Sequence, residues 1–219
     1  MFKIDNKTKI ICFDVDGTLV ENKSSWVFLT LNLGCSVEKI TEIYQRTENG
    51  TISFNKGVSI VEELFRQSGK ASKEHIEAIF RRVYLKREAN DLISYLKERG
   101  YLIYLISGGI DLYVGIIAQK AGADGFFGHA SLEFDNQGNL SKIKYGKSQG
   151  KAKLKRIEEL SKKFSVPADK MIFVGDSEND YEAFIATKHG IAMRPYAEKM
   201  EKVAWKKIDS LLEIKDLIG

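Results

Sequence analysis

Runs of apolar residues alternate with amphipathic stretches along most of this chain. The segment 9–20 begins with an apolar run that ends at two carboxylates, which indicates a buried strand. Apolar runs at 101–106 and 171–174 predict two more strands, and apolar residues at helical spacing precede each of them. Strands that alternate with helices are typical of a doubly wound sheet. The pattern therefore predicts an α/β protein with a Rossmann-like, doubly wound parallel sheet.

Residues 24–85 interrupt this alternation because their apolar positions follow only the helical period. Four helices are predicted there, and Ser53 is a candidate N-cap of the third. The mixed pattern resumes at residue 89. We therefore predict an α/β core formed by residues 1–20 and 89–219, with residues 21–88 inserted as an all-helical cap subdomain.

Shorter elements are predicted in the second half of the chain. Residues 131–144 alternate in polarity around the polar turn 135–139, which predicts a β-hairpin. Short apolar runs at 190–193 and 202–205 predict two late strands.

Composition limits the function classes. The 219 residues are 43% hydrophobic, and the net charge of +4 is spread without a basic block, which gives no support for nucleic-acid binding. Cys12 and Cys35 form no disulfide or metal-binding pattern. No apolar stretch reaches the roughly 18 residues that a membrane span requires, and the N-terminus lacks a signal-peptide pattern. We expect a cytoplasmic monomer or homodimer without a membrane or nucleic-acid partner.

Two carboxylates, Asp14 and Asp16, flank one apolar residue where the first strand ends. Ligands of open parallel sheets bind beyond the carboxyl ends of the strands, so these acids stand where chemistry is expected. Gly17 allows a sharp turn after them. A simple turn has no need for two acids at this spacing. The segment therefore indicates an active site.

Polar clusters also follow two other predicted strands. Ser107 and the backbone N–H groups after it are suited to holding phosphate oxygens, although Ser-Gly-Gly is also common in ordinary loops. Asp176 can bind a hard cation such as Mg²⁺, or cap the next helix. A lysine before this strand would offset the charge of a carboxylate and a phosphate. Its spacing from Asp176 favours Lys153, with Lys151 as the alternative.

These clusters, in this order, resemble the motifs of the haloacid dehalogenase superfamily. The matching segments are Asp-x-Asp-Gly-Thr at 14–18 and Gly-Asp-Ser-Glu-Asn-Asp at 175–180, within a core of 5–20 and 89–195. Ser107-Gly108-Gly109 and the helical insert resemble the phosphoserine phosphatase group, which has a helical cap. The resemblance implies that Asp14 becomes an aspartyl-phosphate and that Asp16 protonates the leaving alcohol and later activates water.

The resemblance also implies the other ligand contacts. Mg²⁺ would be held by Asp14, the backbone carbonyl of Asp16 and Asp176, with support from Asp180. Lys153 would offset the charge of the phosphoryl group. The residues assigned to phosphate or substrate binding are Ser107, Gly108, Asn179, Gly17 and Thr18.

The chain departs from the phosphoserine phosphatase pattern in its cap. Lys23 stands where that group carries a glutamate, and the segment that should supply an arginine has only Lys56. Arg46 and Arg66 are alternative sources of that arginine. A lysine cannot reproduce the bidentate fork of arginine on a carboxylate. We therefore predict a small phosphorylated metabolite other than phosphoserine. Most aromatic residues of the cap are expected to pack among its helices, and Trp26 and Phe54 are the first candidates for substrate contacts.

These inferences predict a Mg²⁺-dependent phosphatase that hydrolyses a small phosphomonoester through an aspartyl-phosphate. Asp16 argues against dehalogenation, because a halide leaves without a proton donor. One alternative is a phosphotransferase or mutase that uses the same intermediate. Another is a binding protein for a phosphorylated ligand without turnover, although such a protein has no need of Asp16.

Overall fold

The computed structural model describes residues 10–218, so the predictions for residues 1–9 and for Gly219 lie outside the described residues. Six strands form one parallel sheet in the order β3-β2-β1-β6-β7-β8, and β4 pairs with β5 as an antiparallel hairpin. The strands are β1 (Ile10–Phe13), β2 (Leu102–Ile106), β3 (Gly125–Phe127), β4 (Ala130–Phe134), β5 (Leu140–Tyr145), β6 (Ile172–Gly175), β7 (Gly190–Met193) and β8 (Lys206–Ile208).

Helices cover the sheet and form the insert between β1 and β2. No helix within residues 10–218 combines the length and the apolar character that crossing a bilayer would require. The helices are α1 (Ser25–Asn32), α2 (Val37–Glu48), α3 (Phe54–Gln67), α4 (Lys73–Phe80), α5 (Arg87–Glu98), α6 (Asp111–Ala121), α7 (Gln149–Phe164), α8 (Tyr181–Thr187) and α9 (Ile214–Ile218).

The four helices of the insert begin in the same way. Ser24, Ser36, Ser53 and Ser72 each precede one of α1 to α4, and each side chain accepts a hydrogen bond from the backbone N–H three residues later. Such N-caps satisfy a backbone donor that the first helical turn leaves unpaired. The predicted cap by Ser53 is confirmed, and the same chemistry sets the starts of the other three helices.

The α/β architecture and the hairpin agree with the prediction, but the last strand does not. Residues 202–205, predicted as a strand, follow a short 3₁₀ helix, Glu198–Lys202, and β8 begins only at Lys206. Two of the three β8 side chains are exposed and only Ile208 is buried, so the strand has too few apolar residues to be recognised. Buried Met200 anchors the 3₁₀ helix.

The chain enters and leaves the insert side by side. Val20 and Leu85 form an antiparallel bridge, and the N–H of Lys86 donates to the carbonyl of Leu19 at 2.8 Å. Helix α5 starts at Arg87, one residue before the end of the predicted cap at 88. The division into a core and a cap at 21–88 stays a prediction.

The β4–β5 hairpin lies outside the main sheet and packs against the insert. The N–H of Leu140 donates to the carbonyl of Ala71 at 2.8 Å, and the N–H of Ile143 donates to the Glu62 carboxylate at 2.9 Å. The insert is therefore held at two places, at its chain entry and through this hairpin.

Candidate active site

Adjacent strands bring the first two predicted acids together. Strands β1 and β6 pair in parallel with Phe13 opposite Val174, and the N–H of Asp14 continues the ladder by donating to the Val174 carbonyl at 2.8 Å. Asp176 follows the end of β6. Carboxylate oxygens of Asp14, Asp176 and Asp180 all lie within 4.8 Å of one another, and all three residues are buried.

A buried lysine contacts two of these acids. Lys153 Nζ lies 2.9 Å from Asp14 Oδ1 and 2.5 Å from Asp180 Oδ1, and the lysine side chain is only 2% exposed. The other oxygen of Asp180 accepts hydrogen bonds from the backbone N–H groups of Asp176 and Ser177, at 3.1 and 3.0 Å. Asp180 therefore connects Lys153 to the backbone of the loop that carries Asp176. Lys151 is exposed, so the structure favours Lys153 over that alternative.

Burial dominates the electrostatics of the cluster. It raises the pKa of Asp14 to about 7, with a smaller contribution from the neighbouring acids, while Lys153 opposes the shift. Burial also opposes the charged form of Lys153, but Asp14 and Asp180 outweigh this effect, so the pKa of the lysine lies above its ordinary value. Burial raises the pKa of Asp176 as well. Burial thus disfavours the charged form of Asp14 and Asp176, and a bound cation would favour it.

The donor set fits a divalent cation. Octahedral Mg²⁺ binds oxygens at about 2.1 Å, which places its ligands within about 4.2 Å of one another, and the three carboxylates here each offer an oxygen within 4.8 Å of the others. Four carboxyl groups and two ammonium groups lie together here, so the acidic groups outnumber the cationic side chains that face them. The groups are Asp14, Asp16, Asp176, Asp180, Lys23 and Lys153.

The loop after Asp16 supports Asp176 instead of facing the cavity. Gly17 has φ +78°, and a Cβ there would lie 2.2 Å from Asp176 Oδ2, so only glycine leaves room for that carboxylate. Thr18 is fully buried, and its hydroxyl donates to Asp176 Oδ1 at 3.5 Å. The N–H of Gly17 already donates to the carbonyl of Asn22. Neither Gly17 nor Thr18 lines the cavity, and their expected contact with phosphate stays a prediction.

Asp16 is held by two donors that sequence reasoning did not find. The N–H of Ser25, at the start of α1, donates to Asp16 Oδ2, and the hydroxyl of Tyr113 in α6 donates to Oδ1, both at 2.9 Å. Burial still raises the pKa of Asp16, because it outweighs both hydrogen bonds. Ser24 marks a helix start in the sequence, but nothing distinguishes Tyr113 from an ordinary apolar position of α6.

A cavity of about 170 Å³ opens above the carboxylates. Ser107 and Gly108 line it after β2, and a Cβ on Gly108 would lie 1.9 Å from Gln149 Oε1. The Asn179 amide donates to the same oxygen at 2.8 Å. Sequence reasoning missed Gln149, which has no motif. The lining comprises Asp14, Asp16, Lys23, Ser24, Ser25, Trp26, Ser107, Gly108, Gly109, Gln149, Lys153, Asp176, Ser177 and Asn179.

Only some of the cap residues that the sequence analysis discussed as substrate contacts lie at this cavity. Trp26 lines it, and Lys23 Nζ lies 3.2 Å from Asp176 Oδ2. Phe54 packs on the ring of Tyr145, with centroids 5.7 Å apart. Neither Arg46 nor Arg66, the alternative sources of the missing arginine, lines this cavity. Arg46 pairs with Glu42, Arg66 binds Glu62, Glu63 and the carbonyl of Ser141, and Lys56 is exposed.

A larger cleft of about 440 Å³ lies between α4 and α6, but it holds no converging set of acids. Within the part of the chain that the structure describes, the only group of three or more potential metal-binding side chains is that of Asp14, Asp176 and Asp180. The chemistry of the protein is therefore assigned to the smaller cavity.

Comparisons with known proteins agree with this geometry. The family model for haloacid dehalogenase-like hydrolases matches residues 8–187. The phosphoserine phosphatase of Archaeoglobus fulgidus is 29% identical over 98% of this chain, which spans 59% of that protein, and the one of Methanocaldococcus jannaschii is 30% identical over 98% of this chain and 96% of its own length.

The fold is also similar to that of a solved structure. That structure is a phospho-aspartyl intermediate analogue of phosphoserine phosphatase, with a TM-score of 0.75 and 26% sequence identity. The match covers 96% of this chain and 99% of the chain in that structure. The chain therefore belongs to the haloacid dehalogenase-like hydrolases and, within them, to the phosphoserine phosphatase-like group.

Proposed function

We propose that the protein is a Mg²⁺-dependent phosphatase that hydrolyses a small phosphomonoester through an aspartyl-phosphate on Asp14. One observation carries the proposal: oxygens of Asp14, Asp176 and Asp180 lie within 4.8 Å of one another, with Lys153 Nζ 2.9 Å from Asp14. Phosphoryl transfer needs positioned charge around an in-line nucleophile more than it needs covalent chemistry, and this cluster provides such an arrangement.

In the first step, a carboxylate oxygen of Asp14 attacks phosphorus while the bond from phosphorus to the alcohol oxygen breaks. Asp16 protonates the leaving alkoxide, which makes it a better leaving group. Lys153 and the donors of Ser107 and Gly108 would hold the phosphoryl oxygens. Bound Mg²⁺, held by Asp14, the Asp16 carbonyl and Asp176, would supply further positive charge to those oxygens.

In the second step, Asp16 takes a proton from water, and the water oxygen attacks phosphorus of the aspartyl-phosphate. Inorganic phosphate leaves and the Asp14 carboxylate is restored. The carboxylate nucleophile thus divides one difficult hydrolysis into two displacements. Asp16 acts first as acid and then as base, which its position between two hydrogen-bond donors and its raised pKa support.

The substrate is proposed to be small because the cavity is small. A volume of about 170 Å³ corresponds to about six water molecules, enough for a phosphoryl group with a short side chain. We propose that residues 21–88 act as a cap that shields the phosphoryl group from bulk water. The relatives are named phosphoserine phosphatases, which supports the ester class, but Lys23 at the cavity argues against phosphoserine itself.

The test is hydrolysis of p-nitrophenyl phosphate and of a panel of phosphorylated metabolites, with Mg²⁺ and with EDTA. We expect turnover only with the metal, and Asp14→Asn should lower kcat by roughly 10⁴-fold or more, because it removes the nucleophile. Asp91→Asn, on an exposed position of α5, is the matched control. Activity retained in Asp14→Asn, or no hydrolysis of any ester, would contradict the proposal. Transfer of phosphate to an alcohol in preference to water would indicate a phosphotransferase instead.

A further inference from the structure

The two sides of the cavity differ in charge. Four consecutive residues near the start of the cap, 23–26, contribute the Lys23 ammonium group, two serines and the Trp26 indole ring. The carboxylates that line the cavity are Asp14, Asp16 and Asp176, and all three belong to the core side. Among the described residues the cap thus contributes a cation and no carboxylate to the lining. This is a surface for an anion and a poor surface for an ammonium group.

Lys23 is not held tightly in its present place. Its Nζ lies 3.2 Å from Asp176 Oδ2, but the lysine side chain is 59% exposed. An ion pair with one partner this exposed is weakened, because water competes for the Lys23 ammonium group even though Asp176 itself is buried. The long side chain can therefore exchange this partner for an anionic group on a molecule bound in the cavity. A structural role for Lys23 would need a buried or bidentate contact, which this pair lacks.

Trp26 presents a second donor. Its Nε1 atom is buried and has no hydrogen-bond partner among the residues that the structure describes. The indole N–H can only donate, and a buried donor without an acceptor is unfavourable. The ring itself is fixed between Phe65 and Tyr145, with centroids at 6.4 and 5.3 Å. An acceptor on a bound ligand would satisfy this group once a small movement of the neighbouring side chains opens the N–H to the cavity.

We propose that Lys23 and Trp26 determine the substrate class, and this inference rests on the proposed phosphatase function. They bind a carboxylate on the alcohol part of the ester, so the substrate is a short phosphorylated hydroxy acid without an ammonium group. A carboxylate fits both a cation and a neutral N–H donor. A carboxylate is also smaller than a second phosphate and leaves more of the cavity of about 170 Å³ for the transferred phosphoryl group.

The experiment compares three esters of similar size. The anionic probe is 2-phosphoglycolate, the cationic probe is O-phosphoethanolamine and the neutral probe is ethyl phosphate. We expect kcat/KM to be roughly tenfold or more higher for 2-phosphoglycolate than for O-phosphoethanolamine, as a charge-assisted hydrogen bond would give. Lys23→Gln should reduce that ratio about tenfold, mainly through KM, and Lys23→Glu should invert it.

Matched variants separate recognition from folding. Lys39→Gln removes an exposed cap lysine that does not line the cavity, and it should leave the ratio unchanged. Trp26→Phe keeps an aromatic ring beside Phe65 and Tyr145 but removes the N–H, so KM for 2-phosphoglycolate should rise several-fold while the unfolding midpoint stays near that of the wild type. Ratios between variants cancel the intrinsic reactivity of the three esters.

A binding measurement makes the inference independent of turnover. Calorimetric titration of Asp14→Asn should show tighter binding of 2-phosphoglycolate than of O-phosphoethanolamine, and Lys23→Gln in that background should remove the difference. Hydrolysis of all three esters with equal kcat/KM, or a preference for the amine, would overturn the inference and leave the phosphatase function standing. Failure to hydrolyse any ester would overturn the proposed function, and the titration would then still decide whether the cavity selects an anion.

Discussion

The carboxylate of Asp16 joins three parts of the molecule at one residue. It follows β1, its Oδ2 accepts from the first N–H of α1, and its Oδ1 accepts from the hydroxyl of Tyr113 in α6. A general acid must be oriented toward the oxygen that it protonates. Tyr113 is therefore a positioning residue for Asp16, and it is fully buried.

Tyr113→Phe should separate this role from simple packing, because it keeps the ring and removes only the hydrogen bond. We expect kcat for an alkyl phosphate to fall about tenfold, a part of the usual contribution of general acid catalysis. The rate with p-nitrophenyl phosphate should change much less, since that leaving group needs no proton. Tyr95→Phe, whose hydroxyl lies far from the site near the carbonyl of Lys215, is the control. Equal losses on both esters would refute the assignment.

Because Gly17 has no side chain, its backbone lies close to the Asp176 carboxylate, and no other residue type would allow this approach. Gly17→Ala would place a methyl group 2.2 Å from Asp176 Oδ2 at a φ of +78°. Gly122→Ala is a matched control, because φ is +66° there and the added carbon meets open space. Both variants should lose about 1–2 kcal/mol of stability through backbone strain.

Only Gly17→Ala should also lose Mg²⁺ affinity and phosphatase activity, because it displaces a proposed metal ligand. Urea unfolding and calorimetric titration with Mg²⁺ measure the two effects separately. Unchanged Mg²⁺ affinity in Gly17→Ala would show that Asp176 does not need this close approach.

At the level of helices and strands, one carboxylate of the cap contributes a partly buried contact to the hairpin, beside the backbone hydrogen bonds that join the two. Glu62 in α3 accepts from the N–H of Ile143 in β5 at 2.9 Å and also pairs with Arg66. The neighbouring Glu63 pairs with Arg66, accepts from the Gln67 side-chain amide and is half exposed. The contact to the backbone of β5, and not the exposed ion pair, should carry the stability.

Substitution of these two glutamates tests that view. Glu62→Ala leaves the N–H of Ile143 unpaired and should lower the free energy of unfolding by about 1–2 kcal/mol. Glu62→Gln retains an acceptor oxygen and should lie close to the wild type, and Glu63→Ala should change stability by less than about 0.5 kcal/mol. Urea titration measures all three variants. Equal losses in Glu62→Ala and Glu63→Ala would mean that the backbone contact is unimportant.

The helices of the cap were predictable because local chemistry decides them. Serine N-caps and apolar residues at helical spacing lie within a few residues of one another in the sequence. Strand β8 was placed wrongly because its exposed lysines carry no apolar pattern, and its pairing with β7 depends on residues far along the chain. That the hairpin would pack against α3 had no sequence signal at all.

Over the whole molecule, the buried acids couple stability to pH. Burial raises the pKa of Asp14 to about 7, whereas an aspartate in an unfolded chain titrates near 3.9. Between about pH 4 and 7 the folded, metal-free protein therefore holds a proton that the unfolded chain has released. Because the folded protein binds this extra proton, it is more stable relative to the unfolded chain near pH 4. This added stability is lost as the pH rises through the folded-state pKa of Asp14.

In EDTA, we expect the free energy of unfolding of the wild type to fall between pH 5.5 and 8 more steeply than that of Asp14→Asn, which lacks this titrating group. Mg²⁺ at pH 8 should restore stability to the wild type, because its charge offsets the Asp14 carboxylate that has lost its proton. Urea unfolding at several pH values measures both effects, with Asp91→Asn as control. Parallel pH dependence in the wild type and Asp14→Asn would contradict the assigned origin.

The sequence alone determined the α/β class, the helical insert and the acids that follow the strands, because hydrophobic periodicity and strand-end motifs are local properties of the chain. Only the tertiary structure shows that Lys153 contacts Asp14 while Lys151 is exposed, and that Gly17 and Thr18 lie against Asp176. It also shows that Tyr113 contacts Asp16 and that Gln149 lines the cavity. These positions depend on side-chain direction and on contacts between distant segments. The periodicity of a single sequence does not contain that information.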